Sequence, residues 1–405
     1  MPNPQPLPAS VFHHLLMGNP DFPSDIILEI LSRLPVKLLC RFRCVSKSWR
    51  SLIADPDFVK MHLNKAIENE DIFNQRRRLI FTDVSIRLLQ SLNLDELLNN
   101  NNEFLNNNND AVVDSYLGED NDNHIDKING DDDLRVPTDV HYICSLPNYW
   151  VFLLFHSHGL LLCLLHNGGF YLVNPATRES KKLAEKPDVG KGYYSSGVGF
   201  GFDHSSGDYK VVVLSYLEGG IMFSVYTLKT GSWRMIQRRY PYKFDRMQKG
   251  ILLNGALHWL LMDRVGVEHR SSVIISFNLA EENVREIPLP LASIDARDYN
   301  VGAYRDFLCV IHSGADGGMH NEFWIMKEDS ARESWTKIRI PIPYSVSRHS
   351  GFWKKSHDLL VFRDQLLLCN SNGPRFRNLS ISGLPRVNEV GIYLESLVSL
   401  NNNVD

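Results

Sequence analysis

The chain has 405 residues, 43% of them hydrophobic, and its 43 Lys and Arg against 47 Asp and Glu leave a formal net charge of −4. That length suggests two or three domains, and the apolar fraction suffices for a large core. The balance excludes the strongly basic, aromatic-interleaved surface of a nucleic-acid binder. The longest apolar run, residues 151–165, is broken by His156-Ser157-His158-Gly159 and is too short to span a bilayer, so no membrane is expected as a partner.

Residues 1–20, MPNPQPLPASVFHHLLMGNP, lack a basic region followed by an apolar stretch. They read as a flexible tail rather than a signal peptide. Residues 22–58, FPSDIILEILSRLPVKLLCRFRCVSKSWRSLIADPDF, read as three short helices. Asp25 is a candidate N-cap, and Ile26, Ile27, Ile30, Leu31 and Leu34 recur at helical spacing. Pro35 stops the first helix because proline has no N–H to donate and disfavours a helical residue before it. A second helix from Val36 to about Arg43 presents Val36, Leu38, Leu39 and Phe42; a third, capped by Ser46, presents Trp49, Leu52 and Ile53. A unit of about forty residues rarely builds a sufficient core alone, so apolar surface left over here points to another protein.

This segment closely resembles the F-box, whose pattern includes an Ile-Leu pair, a Leu-Pro break and a Val-x-Lys-x-Trp-Arg helix. The matching residues are Phe22-Pro23, Asp25, Ile30-Leu31, Leu34-Pro35 and Val45-Ser46-Lys47-Ser48-Trp49-Arg50, with Phe22 in place of the usual Leu and Ser46 where Cys is frequent. The resemblance implies an F-box at 21–66 that docks on a Skp-family adaptor and, through it, on a cullin-RING ubiquitin ligase. It implies an adaptor-binding set of Pro23, Ile26, Ile30, Leu31, Leu34, Pro35, Leu38, Cys44, Val45 and Trp49.

Arg76-Arg77-Arg78 reads as a solvated charge cluster, with a nuclear signal as the alternative. Residues 95–133 hold twelve Asp and Glu against one Lys, and 99–133 are Asn- and Asp-rich. Such text cannot repay its ordering entropy by burial, so 99–133 is expected to be a disordered insertion between strands. From residue 136 onward, short apolar strands alternate with Gly, Asn-Pro, Asp and Ser, as at 160–165, 170–173, 198–202, 210–214, 223–228, 256–261, 273–277, 307–312, 323–326 and 365–369. That is the pattern of an all-β domain.

A repeat underlies these strands. RESKKL, GSWRMI, ENVREI and ESWTKI place Lys181, Trp233, Val284 and Trp335 in matching positions, at steps of 52, 51 and 51 residues. A period near fifty with about four strands per unit indicates kelch-like propeller blades, which acquire a core only by stacking. Residues 67–405 are therefore expected to form a propeller of five to seven blades, with Trp233 and Trp335 substantially buried and a core separate from that of the F-box. The stretch also resembles the plant F-box-associated domain. The residues that carry this are Gly159–Cys163, Asn174-Pro175-Ala176-Thr177, Gly199–Asp203 with Asp208–Val212, Val225–Leu228 with Gly231–Arg234, and Leu253–Trp259. The similarity fades after about residue 345.

Sites of chemistry are scarce in this text. Gly197-Val-Gly-Phe-Gly201 lacks a P-loop lysine and a following helix, and reads as blade glycines. His156 and His158 have no ligand partner at a recognisable spacing, and His258-Trp259 reads as core. Asn378-Leu379-Ser380 matches a glycosylation acceptor, which a reducing compartment makes incidental. The six cysteines include no Cys-x-x-Cys pair and read as reduced thiols of a cytoplasmic or nuclear protein. Neither a catalytic residue nor a metal or cofactor is expected. Tyr193, Tyr194, Arg238, Arg239 and Tyr240, in loops, are the candidates for touching a target, because aromatic and Arg side chains are enriched at binding hot spots. The reading is a non-catalytic substrate receptor of an SCF-type ligase, its propeller holding a target protein. Two other classes stand behind it: an F-box protein whose propeller binds a small molecule or glycan that gates the target, and a propeller enzyme with a docking tail, against which the missing chemical signature argues.

Overall fold

The computed structural model describes the backbone of residues 24–401, apart from 84–87, 94–133, 137–140, 146–150, 187–193, 263–271, 313–319, 328–333, 345–352, 371–375, 382–386 and several gaps of one or two residues. The expected N-terminal tail and the insertion at 99–133 lie outside the described residues.

Five helices come first: α1 (Ser24–Arg33), α2 (Val36–Phe42), α3 (Lys47–Ala54), α4 (Pro56–Glu68) and α5 (Glu70–Arg76). Two more than the expected three follow, so the helical region runs past residue 66 to Arg76. Side-chain caps set their starts. Ser46 Oγ accepts from Trp49 N at 3.1 Å, and Asp55 Oδ1 accepts from Asp57 N at 2.9 Å and Phe58 N at 3.1 Å. Asn69 Oδ1 accepts from Ile72 N at 3.0 Å, and Pro56 occupies the first turn of α4, where its missing N–H costs nothing. Asp25 is not the cap of α1; it sits within the first turn, where a carboxylate complements the positive end of the helix.

The strands follow in chain order. The first four are β1 (Arg77–Asp83), β2 (Leu88–Asn93), β3 (Leu134–Val136) and β4 (His141–Ser145). Next are β5 (Val151–Ser157), β6 (Leu160–Leu165), β7 (Phe170–Asn174) and β8 (Glu179–Lys182), then β9 (Tyr194–Asp203), β10 (Asp208–Leu217), β11 (Gly220–Thr227), β12 (Ser232–Met235) and the short β13 (Gln248–Lys249). The series continues with β14 (Ile251–Leu253), β15 (Ala256–Met262), β16 (Ser272–Asn278) and β17 (Val284–Ile287), then β18 (Tyr299–Tyr304), β19 (Phe307–His312), β20 (His320–Met326) and β21 (Trp335–Tyr344). It ends with β22 (Trp353–Lys354), β23 (His357–Phe362), β24 (Gln365–Asn370), β25 (Phe376–Ile381) and β26 (Val387–Leu394), well beyond residue 345.

Among the described residues these strands form six sheets, within the five to seven expected. Sheet 1 is β26-β1-β2-β4, sheet 2 is β5–β8, sheet 3 is β9–β12 with β13 added beside β9, sheet 4 is β14–β17, sheet 5 is β18–β21, and sheet 6 is β22–β25 with β3 added beside β25. The innermost strands meet around an axis: β26 packs on β5, β5 on β9, β9 on β14, and β14 on β18. The ring is closed twice. β26 pairs antiparallel with β1, and β3 pairs parallel with β25. The fold is thus a helical region, over the segment that resembles an F-box, followed by a β-propeller.

Burial on both faces explains why the strands read as unbroken apolar runs rather than alternating ones. In β6, Leu160, Leu162 and Leu164 join the core between sheets 2 and 3, while Leu161, Cys163 and Leu165 join that between sheets 1 and 2. The matching repeat positions all fall in outer strands and pair with a neighbour one strand inward: Lys181 with Leu172, Trp233 with Tyr226, Val284 with Phe277, and Trp335 with Met326. The glycines at 197, 199 and 201 allow sheets 3 and 4 to approach; a Cβ at Gly199 would stand 2.7 Å from Leu257 Cδ1.

Candidate functional site

Helix α1 places Ile26, Ile27, Leu28, Ile30 and Leu31 over about half of its circumference, a wider apolar face than the one it buries. Its inner side is covered: Leu28 and Leu31 pack with Val36, Leu39, Leu52, Ile53 and Phe58. Its outer side is not. Ile26 is 46% exposed and Ile30, one turn on, 52%. Val45, in the turn before α3, is 66% exposed, and Cys44 beside it is exposed too. Trp49 is half-buried and meets Phe42 edge-on, ring centres 5.3 Å apart. Leu34, Pro35 and Leu38 are half-buried around the α1–α2 break, and exposed Lys37, Arg41, Lys47 and Arg50 surround them.

One residue leaves the expected docking set. Leu31 is 1% exposed because it lies on the inner face of α1, so its contribution goes to the F-box core. Pro23 lies outside the described residues.

A buried arginine fixes this surface to the rest of the chain. Arg76 Nη2 donates to the carbonyl oxygens of Ser32 at 2.7 Å and Leu34 at 2.9 Å, capping the end of α1. Its Nη1 donates to His62 O at 2.9 Å and meets His62 Nδ1 at 3.1 Å, while His62 Nε2 lies 3.0 Å from Leu34 O. Since Nδ1 faces a guanidinium, the proton of the neutral ring is on Nε2. Burial, and then the Arg76 cation, hold the His62 pKa down to about 4. Arg76 is fully buried and Arg77 1% exposed, while Arg78 Nε pairs with Glu395 Oε1 at 3.0 Å. The Arg76–Arg78 run is therefore neither a solvated cluster nor an accessible signal; burial with carbonyl partners replaces both readings.

The C-terminal segment after β26 joins the same centre. Glu395 N donates to Arg76 O at 3.0 Å, and Leu397, 1% exposed, packs in the helical core together with Ala176 of the β7–β8 turn. Asn174 Nδ2 donates to Ser396 O at 3.1 Å and Val398 O at 2.7 Å, and its Oδ1 accepts from Ala176 N at 2.9 Å. Glu179 Oε2 accepts from Leu400 N at 2.8 Å, and Leu400 is buried between sheets 2 and 3. Gly159 must be glycine here: its φ is +83°, and a Cβ would stand 2.2 Å from Ser396 Oγ. The expected separation of cores fails at this joint, because the helical core is completed by Leu397.

With this geometry in view, two family matches fall in sequence order: the F-box domain over residues 20–61, and the F-box associated beta propeller domain over 120–379. The chain belongs to the F-box proteins with an F-box associated beta propeller. It is similar to the Arabidopsis thaliana F-box protein CPR1, 28% identical over 356 residues that cover 81% of this chain and 75% of that protein. It is likewise similar to the F-box/kelch-repeat protein At3g23880 of the same plant, 25% identical over 391 residues that cover 94% and 96%. F-box proteins of this type are typically non-catalytic adaptors of SCF ubiquitin ligases, and an F-box implies binding to a Skp-type adaptor.

The expected target-touching residues separate. Arg238 and Arg239 are exposed, but Tyr240 is only 8% exposed and packs edge-on against Phe223 at 5.4 Å. It belongs to the core between sheets 3 and 4, where its backbone bridge to Ile221 holds it against sheet 3. Tyr193 lies outside the described residues, and of Tyr194 only the backbone, at the start of β9, is described. The His158 ring lies tilted against Phe202 and edge-on to His204, ring centres 4.8 and 4.9 Å apart. Among the described residues no three His, Cys, Asp or Glu stand together to hold a metal ion, and no helix is long and apolar enough to cross a membrane.

Proposed function

We propose that this chain is the substrate-recognition subunit of an SCF-type cullin-RING ubiquitin ligase of the cytoplasm or nucleus. Ile26, Ile30, Cys44, Val45 and Trp49, with Leu34, Pro35 and Leu38 at the helix break, dock on a Skp-family adaptor, and the propeller holds a target protein. The chain does no chemistry itself; it raises the effective concentration of target lysines near the charged conjugating enzyme. The observation that carries the reading is the apolar outer stripe of Ile26, Ile30 and Val45 on a helical unit whose inner face is already packed by Leu28, Leu31, Leu39 and Ile53. The exposed and buried cysteines, four of them free among the described residues, suit a reducing compartment.

The test is co-purification of the full chain with a Skp-family adaptor, followed by assembly with cullin and RING subunits. Wild-type protein is expected to co-elute with the adaptor, and the Ile30→Asp, Val45→Asp variant to elute alone with an unchanged denaturation midpoint. Co-elution of that variant with the adaptor would overturn the docking face.

A further inference from the structure

From Ile30 to Ala54 the helical region holds six cations, Arg33, Lys37, Arg41, Arg43, Lys47 and Arg50, and no acid. Arg33 is engaged by Glu29 at 2.6 Å. Among the others stands Ser46, at a position where the F-box pattern frequently has Cys. Cys44, Val45, Ser46, Lys47 and Ser48 are exposed in succession, so the chain from the end of α2 into α3 offers its side chains to solvent. Ser46 Oγ accepts from Trp49 N at 3.1 Å as the cap of α3.

Charge separates this hydroxyl from other exposed serines. Ser206 donates to Asp203 Oδ2 at 2.6 Å and Ser399 to Glu179 Oε2 at 2.9 Å, so a phosphate on either would meet a carboxylate. Ser46 has Arg43 three residues before it, Arg41 five before, Lys47 next to it and Arg50 four after. Arg41 is exposed and Arg43 half-buried. Arginines upstream of a serine fit kinases whose substrate cleft is acidic, because kinases sort their substrates by charge pattern.

We propose that Ser46 is a phosphorylation site for a protein kinase with an acidic substrate cleft, and that the phosphate turns adaptor docking off. This rests on the reading that Ile26, Ile30 and Val45 face a Skp-family adaptor. Ser46 Oγ attacks the γ-phosphorus of a nucleoside triphosphate. The Oγ–P bond forms, the bond from that phosphorus to the β-phosphate oxygen breaks, the hydroxyl proton passes to the kinase's carboxylate base, and the nucleoside diphosphate leaves. The fold is retained, because the ester still offers oxygens to Trp49 N and its charge lies at the positive end of α3. What changes is the docking face. Val45, 66% exposed, gains a neighbour with a charge of about −1.5 to −2, and covering that face then strips water from the phosphate.

The experiment uses the full chain and two readouts. First, the chain is incubated with ATP and the catalytic subunit of cyclic-AMP-dependent protein kinase, and the modified residues are mapped by mass spectrometry. Phosphate is expected on Ser46, at a rate that falls about tenfold or more in the Arg41→Gln, Arg43→Gln variant. Arg41→Gln alone, on an exposed side chain, serves if the double variant misfolds. Second, chain carrying phosphoserine installed at position 46 during translation is titrated with a Skp-family adaptor. It is expected to bind at least about tenfold more weakly than the unmodified chain, with a denaturation midpoint unchanged or raised, and to regain its affinity after phosphatase treatment. Phosphate on Ser48 or Ser51 in place of Ser46, an undiminished rate in the arginine variants, or equal adaptor affinity with and without the phosphate would each overturn the inference. Unmodified chain that binds no adaptor would overturn the docking reading and with it the switch, while the mapping still decides whether Ser46 is the site.

Discussion

Trp233 and Trp335, in outer strands two sheets apart, make the same hydrogen bond. Trp233 Nε1 donates to Ala184 O at 2.7 Å, and Trp335 Nε1 donates to Pro288 O at 2.8 Å. Ala184 and Pro288 each lie just after the outer strand of the preceding sheet, β8 and β17. The two indoles therefore latch each sheet to the one before it. They differ in burial: Trp335 is 7% exposed, while Trp233 is half-buried beside Phe170 and Tyr226.

Truncating Trp335 to Ala is expected to cost about 3–5 kcal/mol in denaturant unfolding, the range for large core aromatics. Trp233→Ala should cost less, because more of its ring already meets water. Trp335→Phe keeps most of the packing and removes the indole bond, for a loss of about 1 kcal/mol. Equal costs at the two sites would contradict the burial difference.

Adjacent residues of α1 should separate binding from stability. Ile30→Ala is expected to weaken adaptor capture at least about tenfold with little change in melting temperature, since about 1.4 kcal/mol is tenfold. Leu31→Ala should instead cost about 2–5 kcal/mol of stability. The two variants compared by titration calorimetry against a Skp-family adaptor, and by thermal unfolding, check both halves.

Acid should loosen the helical unit through His62. Its pKa in the folded chain, about 4, lies below the ordinary 6.5, so the unfolded chain binds the proton more readily. The contribution is fully present above about pH 6.5 and is lost as pH falls from there toward 4. His158, held near 4 by burial and by His204, acts in the same direction. His62→Gln should flatten the pH dependence of the unfolding midpoint in part. A wild-type midpoint flat between pH 7 and 4 would contradict the geometry around Arg76.

Leu397 offers a test of the joint between the two parts. Leu397→Ala is expected to cost about 2–5 kcal/mol and to raise hydrogen exchange in α1–α3, although residue 397 follows the last strand of the propeller. Asn174→Ala, which releases Ser396 O and Val398 O, should give the same exchange pattern more weakly. Exchange changes confined to sheets 2 and 3 would argue that the helices hold themselves together.

What was legible in the sequence was what neighbours in sequence decide. The Ser46 cap, the Leu34-Pro35 break and the outward Ile26 and Ile30 are local, and the 51-residue step survives as the shared register of Trp233, Val284 and Trp335 in outer strands. Leu31 and Tyr240 were misplaced because spacing reveals an apolar face without saying which side is covered. Arg76 was unreadable for a different reason. Its partners are carbonyl oxygens at Ser32, Leu34 and His62, and carbonyls leave no trace in side-chain patterns. Leu397 gave no signal either, since its contacts are with helices at the other end of the chain.

That long-range joint has a bearing on how the chain matures. Helices α1–α3 leave the ribosome early, yet Glu395, which ties down Arg78, follows more than three hundred residues later. Leu397 and β26 belong to that same late stretch. A message cut short, or a chain nicked in between, yields helices with an unfilled core beside an open sheet edge. On the proposed function, recruitment into a ligase is thereby coupled to completion of translation, and fragments that would occupy the adaptor without presenting a target-binding face are disfavoured by the fold itself.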